Sequence, residues 1–169
     1  MVNRVILKEE ELYPGMCQWL KSHLEDKYVK TNCQIIVVDC HSRYLDKVLE
    51  EYNIIKYYPQ IVGLKIQIDV LGMVIEKNKA KIFFIEAKKT DFTLVNLGQL
   101  LIYCKLCNPE EAYLLTSGNL GSLNKVLINL NREDLLDFGS GKRIKKIIVG
   151  QWDFARKTIN HNSVVPKIY

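Results

Sequence analysis

Two apolar runs with a polar break between them set the strongest limit on what this chain can fold into. The first is Ile66-Gln67-Ile68-Asp69-Val70-Leu71-Gly72 and the second is Lys81-Ile82-Phe83-Phe84-Ile85-Glu86-Ala87-Lys88-Lys89-Thr90, on either side of Lys77-Asn78-Lys79. Runs of this length, bounded by turn residues, read as β-strands, here about 64–75 and 81–87, joined by a tight turn. The pattern also carries charge where a strand core should have none. Asp69 interrupts the first run, and Glu86-x-Lys88 closes the second. Carboxylates beside a lysine at the end of a hydrophobic strand are costly to keep without a use.

If Asp69 and Glu86 lie near one end of paired strands, their carboxylates converge. They then repel unless a cation sits between them. Oxygen ligands suit a hard cation, Mg²⁺ first, with Mn²⁺ able to substitute. Lys88 follows Glu86 by two residues and so points to the same side of a strand. There it can orient an attacking water or stabilise charge that develops on a phosphate. A metal, a water and a cation are the parts that phosphodiester hydrolysis needs.

The remaining pattern supplies a scaffold. Leu12, Met16, Trp19, Leu20 and Leu24 recur at helical spacing over 8–24, with Pro14 in the first turn and Glu9 on the core-facing side. Residues 33–39 read as a strand apolar on both faces, and 42–52 as a helix capped by Ser42. Further helices are expected over 92–106, 120–130 and 132–138, and strands over 112–116 and 144–149. Asp91 or Thr93 would cap the first of these helices. The tail from Asn160 is polar and expected to be ordered only by local contacts. Helices interleaved with strands imply an α/β domain, a mixed central sheet flanked by helices. One domain over 1–169 is expected, with a core over about 8–116 and a sheet extension after it that serves DNA contact or dimerisation.

At this point the residues resemble the PD-(D/E)xK nuclease superfamily, through Asp69 and Glu86-x-Lys88 at the end of an apolar strand. Ile68 stands where that pattern often has proline. Gln99-Leu-Leu-Ile-Tyr103, on the following helix, is similar to the Gln-x-x-x-Tyr motif of RecB-type nucleases. The resemblance implies a restriction-endonuclease-like core and a Mg²⁺-dependent DNA endonuclease, restriction-type or structure-specific. Asp69 and Glu86 would then bind metal with the Ala87 carbonyl, and Glu9 would be the acidic residue contributed by the first helix. Lys88 would act on the water or the phosphate, and Gln99 and Tyr103 would support the site. Cutting both strands of DNA calls for a homodimer. Two alternatives stay open: a Holliday-junction resolvase, and a catalytically silent DNA-binding or assembly subunit that keeps the fold.

Charge and cysteine usage bound the setting. A net charge of +5 is compatible with binding a polyanion. Lys142, Arg143, Lys145 and Lys146 cluster beside Gly139 and Gly141, and with Lys89 they are the expected DNA contacts; the alternative is a solvated strand edge. Five irregularly spaced cysteines argue against a disulfide framework and for a cytoplasmic setting. Cys104-x-x-Cys107 is expected to fill core rather than to hold zinc or an iron–sulfur cluster. His41, after Asp39-Cys40, is expected to be a loop residue near the sheet end. No run approaches the length of a membrane span, and the polar N-terminus has no leader-like apolar stretch.

Overall fold

A computed structural model describes residues 8–167. The N-terminal stretch before Lys8 and the last two residues of the tail lie outside the described part. The first helix starts later than its pattern suggests. Glu9–Glu11 form a single 3₁₀ turn, and helix α1 runs over Tyr13–Lys27 with Pro14 in its first turn. Strand β1 (Gln34–Asp39), helix α2 (Leu45–Glu51), strand β2 (Val70–Glu76), strand β3 (Lys79–Lys88), helix α3 (Leu94–Cys107) and strand β4 (Glu111–Thr116) follow. A short helix α4 (Gly121–Asn124) continues into a π-turn over Lys125–Asn129.

The main sheet is mixed and runs β1-β2-β3-β4-β7-β8, where β7 is Ile148–Asp153 and β8 is Thr158–Ile159. The β1–β2 and β2–β3 pairs are antiparallel, β3–β4 and β4–β7 are parallel, and β7–β8 is antiparallel. Parallel pairing of β3 with β4 requires a crossover, which α3 provides. Strands β5 (Asp137–Ser140) and β6 (Arg143–Lys146) form a separate two-stranded ladder.

Alternation along the strands builds a core on each face. Phe83, Ile85 and Ala87 of β3 meet Leu12, just before α1, and Met16, Leu20 and Leu24 of α1. Ile82 and Phe84 face the other way, onto Leu97, Leu100, Cys104 and Cys107 of α3 and Leu45, Val48 and Leu49 of α2. All five cysteines are free, and Cys104 and Cys107 are buried in this second core. No helix among the described residues is long and apolar enough to cross a membrane.

Several local expectations are corrected. Strand β1 is apolar on both faces at its centre, with Ile36 and Val38 packed on one core and Ile35 and Val37 on the other, but it lies at the sheet edge and is only half-buried. Ser42 caps nothing; Tyr44 is the N-cap of α2 and contributes no side-chain hydrogen bond. Residues 64–69 are not strand, so Asp69 lies immediately before β2. The segment 132–138 is a 3₁₀ turn (Glu133–Leu136) leading into β5, and the span 144–149 divides between two different sheets. The tail up to Val165 is packed: Val164 and Val165 are buried, and Val165 bridges Val149. At α3 the sequence reading is met, with Thr93 and Asn96 forming a capping box.

Helix α1 approaches the sheet closely because β2 carries a glycine beneath it. A Cβ at Gly72 would stand 3.0 Å from both Leu20 Cδ2 and Leu24 Cδ1 and 3.2 Å from Phe83 Cβ. Gly72→Val is expected to destabilise the fold by about 1–3 kcal/mol through overpacking. Urea denaturation reads this as a lower midpoint; an unchanged midpoint would contradict the close packing.

Candidate functional site

The antiparallel register carries the site. Val70, the first residue of β2, pairs with Ile85, and that register continued one residue before the strand places Asp69 opposite Glu86. Like charges directly opposite each other on a sheet repel. Both residues are also out of solvent, Asp69 at 9 % and Glu86 at 5 % relative exposure. Burial, and then the Asp69 charge, push the Glu86 pKa up from 4.5 to about 7. Burial likewise raises the Asp69 pKa, against the opposing pull of the Ala87 N–H, Lys88 and Tyr13.

Each carboxylate is held by groups around it. The Ala87 N–H donates to Asp69 Oδ2 at 2.7 Å, and the Tyr13 hydroxyl donates to Oδ1 at 3.1 Å. Lys88 Nζ donates to Glu86 Oε1 at 3.1 Å and to Glu9 Oε1 at 3.3 Å. Glu9 also accepts from the Lys89 backbone N–H at 3.2 Å. The 3₁₀ turn before α1 is thereby tied to the end of β3. Burial alone would lower the Lys88 pKa, but Glu86, Asp69 and Glu9 together raise it, so Lys88 is a cation at neutral pH.

Asp69, Glu86, Lys88 and Glu9 thus come together at one end of the sheet. The contact that Ala87 makes with this cluster is through its N–H. Gln99 and Tyr103 share a face of α3, with Gln99 Nε2 donating to the Tyr103 hydroxyl at 3.4 Å, and neither has a hydrogen bond to the acidic cluster. Lys89 is exposed beside it. The basic run lies elsewhere. Arg143 pairs with Glu110 at 2.6 Å, Lys145 donates to the Asn108 and Pro109 carbonyls, and Lys146 pairs with Asp137. Lys142 has no hydrogen-bond or ion-pair partner among the described residues. These contacts put the run by the loop entering β4, whereas Lys88 pairs with Thr116 where β4 ends. The two ends are about 15 Å apart along the strand.

One group near the cluster, Tyr13, was not singled out from the sequence, and a second, His41, was expected only as a loop residue near the sheet end. Tyr13 follows Glu9 by four residues, a spacing that could have placed it beside Glu9. His41 stacks on Tyr13 with ring centroids 5.0 Å apart, and its Nδ1 lies 2.6 Å from Asp39 Oδ1. The hydrogen bond with Asp39 raises its pKa. No local pattern connects His41 with Tyr13, because a separate segment brings each one in.

The donor set of Asp69 and Glu86 fits a hard cation: both groups offer carboxylate oxygen, and a positive charge between them would offset their repulsion. Among the described residues, no group of three or more His, Cys, Asp or Glu side chains is arranged as metal ligands. Compared with known proteins, the chain matches no family model, no curated protein and no solved structure.

The Glu86 shift fixes a sign for the metal-free protein. The folded pKa lies above the unfolded one, so the folded state holds more protons between pH 4.5 and about 7. Stability on this account falls as pH rises through that window and levels off above it. Glu86→Gln is expected to flatten that slope and raise the denaturation midpoint at pH 8 in EDTA. A slope identical to that of the unsubstituted protein would contradict the buried, charge-opposed carboxylate.

Proposed function

We propose that the chain is a Mg²⁺-dependent DNA endonuclease, restriction-type or structure-specific. The observation that carries this reading is the meeting of Asp69, Glu86 and Lys88 at one sheet end, with Glu9 closing the cluster. The order α1-β1-α2-β2-β3-α3-β4 supports it, because the antiparallel, antiparallel, parallel pairing of its strands accords with a restriction-endonuclease-like core. On this reading the chain belongs with the PD-(D/E)xK nucleases.

Asp69 and Glu86 would hold the cation. When bound, it lowers the pKa of water and neutralises charge on the phosphate. Tyr13 and the Ala87 N–H fix Asp69 so that its oxygens do not turn away from Glu86. Lys88 keeps its proton and donates from Nζ, either to the attacking water or to a phosphate oxygen as charge builds. Glu9 limits the Lys88 rotamers and anchors the backbone at Lys89. His41, held by Asp39, and Lys89 offer cationic contacts to phosphates flanking the cut. Gln99 and Tyr103 support the nucleic acid from α3. A homodimer would cut both strands of a duplex.

The experiment incubates the protein with plasmid, linear duplex and four-way junction DNA, in Mg²⁺, in Mn²⁺ and in EDTA. Cutting that requires the divalent ion is expected. Asp69→Asn and Lys88→Ala are expected to lower the rate by at least about 100-fold, with thermal unfolding used to confirm that the variants fold. Binding without cutting in any divalent metal would make the chain a silent DNA-binding subunit. Cutting of the junction alone would make it a resolvase.

A further inference from the structure

At the sheet end opposite the acidic cluster, the surface closes into a cavity of about 460 Å³. Lys79, Lys81, Arg143 and Lys145 line it, and Glu110 is its one lining carboxylate. Two of the four cations lack an acidic partner among the described residues. Lys145 Nζ is accepted only by the Asn108 and Pro109 carbonyls and lies 5.2 Å over the Phe138 ring. Lys81 Nζ donates to the Tyr28 hydroxyl at 3.3 Å and lies over that ring. Desolvation by burial pulls the Lys145 pKa below its ordinary value; the Glu110 carboxylate opposes this, and the Arg143 charge adds a smaller pull in the same direction as burial. Four cations thus line the cavity against one lining carboxylate, Glu110, which pairs with Arg143 at 2.6 Å, and the net positive charge gains from an anion that enters among them.

Shape narrows the anion. The volume lies within the range of about 300–1,000 Å³ typical of small-ligand sites. A concave pocket of that size admits a phosphorylated small molecule but not a duplex. Tyr57 forms part of the lining and adds an aromatic wall. Lys56 already lies 5.1 Å from that ring's centroid. Ser140 adds a hydroxyl from the β5–β6 ladder.

We propose that this cavity binds a phosphate ester of nucleotide size, with Arg143 and Lys145 gripping the phosphate and Tyr57 flanking the organic part. The site is separate from the acidic cluster and does not depend on the nuclease reading. It gives Arg143 and Lys145 a role other than holding the DNA being cut.

The test is calorimetric titration of the whole chain in EDTA with inorganic pyrophosphate, AMP and a single-stranded oligonucleotide. Pyrophosphate and AMP are expected to bind at one site. Arg143→Gln and Lys145→Met are expected to weaken both by about tenfold or more. Lys142→Gln, outside the cavity, and Asp69→Asn, at the other sheet end, are expected to leave affinity unchanged. If K145M fails to fold, the exposed R143Q carries the test. The proposal is overturned if neither small probe binds, if both variants bind as well as the unsubstituted chain, or if only the oligonucleotide binds.

Discussion

Two carboxylates, one just before β2 and one on β3, opposed by the antiparallel register of those strands and shielded from water, are the constraint around which this structure is arranged. Asp69 and Glu86 take these places because Val70 pairs with Ile85. Left alone, such a pair would favour a different register or protonation of one member. Here the surroundings hold it. Asp69 receives two hydrogen bonds, and Glu86 has Lys88 beside it. The cost is visible in the raised Glu86 pKa. Groups kept at such a cost in a folded core point to chemistry more than to packing.

The rest of the fold serves to hold that arrangement. Helix α1 settles onto β2 through Gly72, which sets Tyr13 at the height of Asp69. The turn before α1 carries Glu9 to Lys88 and to the backbone at Lys89. Helix α3 carries the chain from the end of β3 back to the start of β4, so the two strands run parallel. The result is a sheet with two chemically distinct ends, an acidic one at the end of β3 and a basic one where β4 begins. That division separates what the sequence groups: in a linear reading, Lys142 to Lys146 and Lys89 are simply basic residues of one chain.

The acidic residues were legible because a charge inside an apolar strand pattern stands out, and because period two fixes which side Glu86 and Lys88 share. Helix α3 was legible through its capping residues. Other features depend on contacts that no local pattern encodes. The extent of β2 is set by where its partners end, so 64–69 looks like strand by composition yet pairs with nothing as strand. Residues 144–149 read as one strand, rich in isoleucine and valine around Lys145 and Lys146, but divide between two sheets, because pairing partners, not propensity, decide strand membership. The polar tail is packed because Val164 and Val165 find buried places beside β7.

By itself the sequence determined an α/β chain with interleaved elements, two apolar strands joined by a tight turn, and the identity of the acids and the lysine at their ends. Those features follow from hydrophobic periodicity and the price of burying charge, both local quantities. Tertiary structure alone decided that Asp69 stands opposite Glu86, that Tyr13 joins the cluster and Glu9 meets it through Lys88, and that the basic run faces a cavity at the far end of the sheet. Register, burial and the distance between charges arise only when segments far apart in the chain pack together.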